Sequence, residues 1–247
     1  MSGKPLMARL DRLLANLGYG SRKDVQALVA AGKVVLDGKA LKDSGARIAV
    51  DATLPERMTI RGLPVDPPAP LVLMMHKPLG VVCSHKEDGE KIYDLLPRRW
   101  RLRDPALSTV GRLDKDTSGL ILITDDGDFL HRVISPKRHV PKTYLAKLDR
   151  ALNGSEAETF AAGTLMLEGE EKPLLPARLE VLDERTARLT ITEGRYHQVR
   201  RMFAAVGNHV VDLHRERIGG IALPEDLTPG QHRILPAAEA EKVFADG

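Results

Sequence analysis

A chain of 247 residues is long enough for one or two domains with a real core, and 43% apolar with 29% charged residues is ordinary globular usage, which excludes fibrous, collagen-like or wholly disordered chains. The single cysteine, Cys83, can close no internal disulfide, and the longest purely apolar run near a strand start, Leu71 to Met75, is far short of the roughly 20 residues that span a bilayer. The formal net charge of +3 is uneven: residues 1–62 hold 11 Lys/Arg against 6 Asp/Glu, and residues 63–247 hold 26 against 28. A small basic module ahead of a near-neutral body points to a polyanion as partner.

In chain order, Met7, Leu10, Leu13, Leu14 and Leu17 recur at helical spacing, and Gly18 and Gly20 stop that helix. Ser21 with Asp24 three residues on forms a capping-box start for a second helix, with Val25, Leu28 and Val29 as its apolar face and Gly32 as its end. Val34 to Leu36 reads as a strand, Asp37-Gly38 as a tight hairpin turn, and Ala40-Leu41 as the return. Residues 64–70, PVDPPAP, carry four prolines, which lock φ and remove donors. The expected division is therefore a small, mostly helical module with a hairpin over 1–62, a stiff proline-rich linker over 63–70, and a larger domain over 71–247.

Beyond the linker, strand-like runs fall at 71–75, 120–124, 143–148, 179–182 and 187–192, and helical patterns at 155–162, 197–206 and 237–244. Irregular alternation without glycine-rich nucleotide turns predicts an α+β fold, with a mixed, largely antiparallel sheet flanked by helices. The N-terminus is interrupted by charges and lacks a continuous apolar leader. A cytoplasmic chain with no membrane partner is expected, and nothing demands more than a monomer.

Most catalytic signatures are absent: no Walker loop, G-x-G-x-x-G, G-x-S-x-G elbow or H-E-x-x-H occurs. His209 and His214 form the closest suggestive histidine pair, without a carboxylate pattern beside them. Neither a metal nor a cofactor is expected. Arg98, Arg99, Arg101 and Arg103 around Trp100 either track phosphates or solvate a helix end. The informative segment is GRLDKDTSGLILITDDGD, residues 111–128, a charged loop feeding an apolar strand. On composition alone, Asp114 in that loop caps a turn.

Gly111-Arg112-Leu113-Asp114 followed by Asp116-Thr117-Ser118-Gly119-Leu120 resembles the catalytic motif of the pseudouridine synthases, in the branch that modifies ribosomal RNA. Lys142-Thr143-Tyr144 resembles that family's second motif and EGRYHQVRRM, 193–202, its third. The continuation FAAVGNHVVDLHRERIGGI, 203–221, is similar to the small-subunit rRNA enzyme of the branch, and residues 7–55 resemble the RNA-binding module of a small-subunit ribosomal protein.

The resemblance implies isomerisation of a uridine in small-subunit (16S) ribosomal RNA, with no redox change and hence no cofactor or metal. It implies Asp114 as catalytic nucleophile or base, Arg200 as its cationic partner, and Tyr144 as the ring that stacks on uracil and helps remove the C5 proton. Arg9, Arg12, Ser21, Arg22, Lys23 and Lys33 are expected to hold RNA phosphates, with Arg112 and Lys142 contacting RNA nearer the pocket. Arg200 stands where the small-subunit enzyme carries lysine and the large-subunit relatives carry arginine. That leaves the same reaction on large-subunit (23S) rRNA as an alternative; a separate one keeps the fold without the enzyme, a non-catalytic rRNA-binding factor in ribosome assembly, against which Asp114, Tyr144 and Arg200 together speak.

Overall fold

The computed structural model describes residues 6–84 and 86–245; the first five residues, on which the reading of the N-terminus partly rests, lie outside them. The chain forms two compact units. One comprises the stretch ending at Leu71 with Leu96–Ser108 and Thr124–Asp126, and the other Val72–Leu95, Thr109–Ile123 and the chain from Gly127 onward.

In the first unit, β1 (Leu6–Arg9) leads directly into α1 (Leu10–Asn16). Leu10, Leu13, Leu14 and Leu17 are buried at the spacing of one helical face. Met7, expected on that face, lies instead in β1 and is 42% exposed, because residues 6–9 pair with a strand 41 residues downstream in the chain, Leu6 opposite Val50 through Arg9 opposite Arg47. The capping box forms as its spacing requires: Ser21 Oγ accepts from Asp24 N–H (3.2 Å) and Asp24 Oδ2 from Ser21 N–H (2.8 Å), opening α2 (Arg22–Ala30). The hairpin of β2 (Val34–Leu36) and β3 (Lys39–Ala40) turns through Asp37 and Gly38, both at positive φ (49° and 76°), the backbone that matches strand twist in a two-residue turn. Then come β4 (Arg47–Val50), the partner of β1, the short α3 (Leu54–Arg57), β5 (Met58–Ile60) and β6 (Leu63–Pro64), giving a sheet ordered β3-β2-β5-β6. Leu10, Leu14, Val25, Val34, Leu54 and Met58 form its core, each with no exposed surface.

The proline-rich stretch is tied into this unit. Val65 and Asp66 are buried. Asp66 accepts from Arg99 Nε (2.5 Å) and Nη2 (2.8 Å), while its N–H donates to Tyr19 Oη (3.0 Å). Arg103 donates from Nε (3.1 Å) and Nη2 (2.6 Å) to Asp125 Oδ2, and Asp125 Oδ1 accepts from Leu71 N–H (2.7 Å). Two members of the arginine run thus hold buried carboxylates in place. An ion pair as dry as Arg103–Asp125 becomes costly once one partner is removed.

The second unit is built on one large sheet. Its elements are β7 (Val72–Lys77), β8 (Ser108–Thr109), β9 (Thr117–Thr124), α4 (Gly127–Ile134), β10 (Lys142–Leu148), α5 (Glu156–Ala161), β11 (Arg178–Asp183) and β12 (Thr186–Ile191), then α6 (Gln198–Ala205), β13 (Val210–Ile218), β14 (Ile221–Ala222), β15 (His232–Ile234) and α7 (Ala237–Ala240). The strand order is β11-β12-β10-β13-β9-β7-β15, with β14 attached to β13 and β8 to β9. Antiparallel pairs join β11 to β12, β12 to β10, β10 to β13 and β7 to β15, whereas β9 and β13 run parallel. This is the mixed, largely antiparallel α+β sheet expected. Leu120 to Ile123 in β9 are buried without interruption, the pattern of a strand covered on both faces. One face packs Val72, Met74, Leu120 and Leu122 against Phe129 and Val133 of α4. The sequence gives no strand for β14 or β15 and leaves β13 open between loop and strand, although β13 stands between β10 and β9 at the middle of the sheet.

Candidate active site

Asp114 sits on the loop that feeds β9. Leu113 is buried beside it, and Thr117 N–H donates to Asp114 O (3.1 Å), so the loop turns tightly before entering the sheet. Lys77, at the end of β7, has no exposed surface and, among the described residues, no carboxylate partner within bonding distance. Its ammonium donates to the carbonyls of Thr117 (2.8 Å), Pro78 (3.0 Å) and Lys115 (3.5 Å). It therefore pins the Asp114 loop from beneath. Burial lowers the Lys77 ammonium below the ordinary lysine range, partly offset by the charges of Cys83, Asp114 and Asp116. Sequence reasoning passed over Lys77; its only signal was a lysine ending an apolar strand directly before a proline.

The carboxylate of Asp114 is 30% exposed and faces the His197 ring, with Nε2 at 3.4 Å from Oδ1. Arg200 lies one helical turn further along α6 and does not make the expected pair with Asp114. Its Nη2 donates to Asp116 O (2.9 Å) and meets Asp116 Oδ2 at 3.1 Å, while Nη1 donates to Val210 O (2.9 Å). The guanidinium fork clamps the turn two residues beyond Asp114 to the start of β13. The reason is geometric: α6 begins at Gln198, so its first turn sets His197, at the N-cap, rather than Arg200 opposite Asp114. His197 stood inside a quoted motif but received no role from the sequence.

Tyr144 is buried in β10, in a row with Arg215 of β13 and Gly119 of β9. Arg215, 2% exposed, donates from Nε to Leu120 O (2.7 Å) and from Nη1 to Tyr144 Oη (3.4 Å). A Cβ on Gly119 would lie 2.3 Å from the Arg215 carbonyl oxygen, and φ there is +110°, so only glycine lets these strands close. Arg215 received no role from the sequence, where the segment around His209 and His214 reads as loop or strand and an arginine there as a surface charge. Lys142, beside Tyr144, donates to Val140 O (2.9 Å); burial and then the Arg215 charge push its ammonium down to about 8. Thr117 Oγ1, Arg200 Nε and Arg215 Nη2 are buried with no hydrogen-bond partner among the described residues. Unmatched buried polar groups at one site mark unused capacity for a polar ligand.

The RNA-facing candidates divide by chemistry. Asp11, whose side chain is wholly buried, accepts from Arg9 (3.0 and 3.2 Å) and Arg22 (2.7 and 3.2 Å), and these bonds hold its carboxyl far below the usual carboxylate range. Both arginines remain more than half exposed on their outer sides. Ser21 is committed to the cap of α2. Arg12, Lys23 and Lys33 are exposed. Arg9 and Arg12 border a largely apolar cavity of about 530 Å³ with Leu6, Met7, Leu13 and Arg47 in its wall. Arg112 is 66% exposed and 3.6 Å from Glu87. Among the described residues no cluster of three His, Cys, Asp or Glu has the arrangement of a metal site, and no helix is long and apolar enough to cross a membrane.

The site thus combines a carboxylate loop held by Lys77 with a tyrosine and an arginine paired across neighbouring strands, and a basic module precedes it in the sequence. Residues 71–205 match the RNA pseudouridylate synthase family and residues 8–54 the S4 domain, and the chain belongs to that synthase family. It is 43% identical over 239 residues to the ribosomal small subunit pseudouridine synthase A of Vibrio cholerae, covering 96% of this chain and 99% of that one. It is 42% identical over 240 residues to the protein of the same name from Escherichia coli K12, covering 95% and 99%. A crystal structure of a pseudouridylate synthase superposes with a TM-score of 0.67 at 38% identity, over 95% of this chain and 99% of that one.

Proposed function

We propose that this chain converts a uridine of small-subunit ribosomal RNA to pseudouridine. The observation that carries this reading is the similarity, over nearly the whole of both chains, to enzymes named for the ribosomal small subunit. In this reaction the N1–C1′ glycosidic bond breaks, the uracil turns, and a C5–C1′ bond forms as the proton leaves C5 and N1 gains one. Atoms and electrons balance within the nucleotide. The target must leave its stack to reach a carboxylate in a loop.

In this reading Asp114 is the nucleophile or base. Tyr144 lies against the uracil, its hydroxyl near the C5 proton, with Lys142 beside it and Arg112 supporting the flipped strand. Arg200 acts through Asp116, holding the turn that aims Asp114. Residues 1–62, through Arg9, Arg12, Arg22, Lys23 and Lys33, hold phosphates and fix orientation, and Ser21 shapes the helix that presents them. Residues 63–70 join this module to the catalytic residues 71–247, and one copy in the cytoplasm suffices.

The test is carbodiimide mapping of pseudouridine by primer extension on both rRNAs, in the parent strain, a deletion strain, and the deletion complemented with Asp114→Asn. A single stop lost from small-subunit rRNA and not restored by the variant is the expected result. A stop lost from large-subunit rRNA would move the substrate, and no change in either rRNA would favour a binding factor in assembly.

A further inference from the structure

Only 4% of this chain is aromatic, yet Tyr196 is 70% exposed. Isolated exposed apolar side chains are normal. This one is not loose. Its ring stacks on His197 with centroids 3.9 Å apart and planes 16° from parallel, and His197 Nε2 lies 3.4 Å from Asp114 Oδ1. The backbone beneath the pair is fixed on both sides. Arg195 N–H donates to Gln198 Oε1 (2.8 Å), the Arg195 guanidinium reaches Glu170 (3.1 Å) and Glu193 (3.1 Å), and Tyr196 O accepts from Arg201 Nη1 (3.1 Å). His197 itself has φ +49°, a left-handed conformation that costs a non-glycine residue energy and persists only where its surroundings impose it.

The result is a rigid two-ring surface, one face on the catalytic carboxylate's neighbour and the other open. A nucleotide that swings out to reach Asp114 breaks its stack with the adjacent base, which is left with a bare π-face. A fixed tyrosine ring replaces that lost partner whatever the base, because every base offers such a face. Tyr144 is not free for this role, since the proposed function places it against the uracil itself, in the row with Arg215. We propose that Tyr196, supported by His197, is a stacking platform for the nucleobase next to the target uridine. This rests on the RNA-modifying function proposed above and adds a second base-binding position to it.

The experiment is steady-state kinetics of the full-length chain on transcribed small-subunit rRNA, with urea midpoints to confirm that each variant folds. Tyr196→Ala should raise KM about tenfold while changing kcat far less, and Tyr196→Trp should restore KM to within about threefold of the parent. A substrate with an abasic nucleotide on either side of the target should cost the parent enzyme as much as the alanine change does, on one side only, with no further loss in Tyr196→Ala. Equal KM for Tyr196→Ala and parent overturns the platform, as does an equal loss for Ala and Trp or an abasic penalty that falls alike on both enzymes. If the parent forms no pseudouridine in this rRNA, the proposed function fails by itself. The platform is then decided by a single-stranded RNA carrying 2-aminopurine beside a uridine: quenching by the parent but not by Tyr196→Ala supports it, and equal quenching overturns it.

Discussion

Around the Asp114 loop, Lys77, Lys142, Arg200 and Arg215 direct most of their hydrogen bonds to backbone carbonyls; among the described residues only Arg200 of these four also meets a carboxylate, that of Asp116. Carbonyls satisfy donors without cancelling charge, so positive charge remains for an anionic substrate. Lys142 makes this measurable. Its ammonium is held at about 8 when folded and returns to about 10.5 when unfolded. Below pH 8 both states are protonated and the burial penalty is complete. Between pH 8 and 10.5 the unfolded chain binds the extra proton, so this group's contribution to stability rises with pH. Lys142→Met, which removes a penalty of about 3 kcal/mol and a hydrogen bond of about 1 kcal/mol, should raise stability at pH 7 by about 1–2 kcal/mol and flatten that rise; urea denaturation at pH 7 and 9.5 checks both. Arg200 and Asp116 should behave as one unit. Each single alanine variant is expected to lower kcat/KM, and the double variant to be little worse than Arg200→Ala, a coupling of about 1–2 kcal/mol in a double-mutant cycle.

The central element is β13, the parallel neighbour of β9 and antiparallel neighbour of β10. Its sequence left loop and strand both open, because Arg215 stands at a buried position where the alternation of a strand calls for an apolar residue. By contrast β9 was readable, since four consecutive residues without exposed surface leave a continuous apolar run. The junction of the two depends on Gly119. Gly119→Ala places a Cβ against the Arg215 backbone at a positive φ, and should destabilise the chain by about 3–4 kcal/mol in urea melts, with loss of the Tyr144–Arg215 row and of activity together. The cap of α2 was readable for the opposite reason: both of its bonds lie within four residues, so no distant element can override them.

At the scale of the whole molecule, charge and compactness follow different divisions. The basic excess lies in residues 1–62, but the first compact unit also includes Leu96–Ser108 and Thr124–Asp126, which the sequence reading placed in the larger domain. Arg99 and Arg103 explain this, because each holds a carboxylate far away in sequence. Arg12, by contrast, is exposed and enters no ion pair among the described residues, so in the proposed function its charge is free for phosphate. Arg12→Ala should weaken rRNA binding and reduce the slope of log K against log salt by about one, without changing the maximal rate on saturating RNA; filter binding across a salt series and single-turnover rates check the two parts.

By itself the sequence determined the local features and the chemistry carried by contiguous motifs: the leucine face of α1, the Ser21–Asp24 cap, the Asp37-Gly38 turn, the apolar β9, and the loop bearing Asp114. These depend on residues within a turn or a strand of one another. Only the tertiary structure decided that Met7 belongs to a strand, that Arg200 meets Asp116 while His197 meets Asp114, and that Lys77 and Arg215 support the site from buried positions. Each of these depends on register between elements distant in the chain, and on carbonyls whose direction no side-chain pattern records.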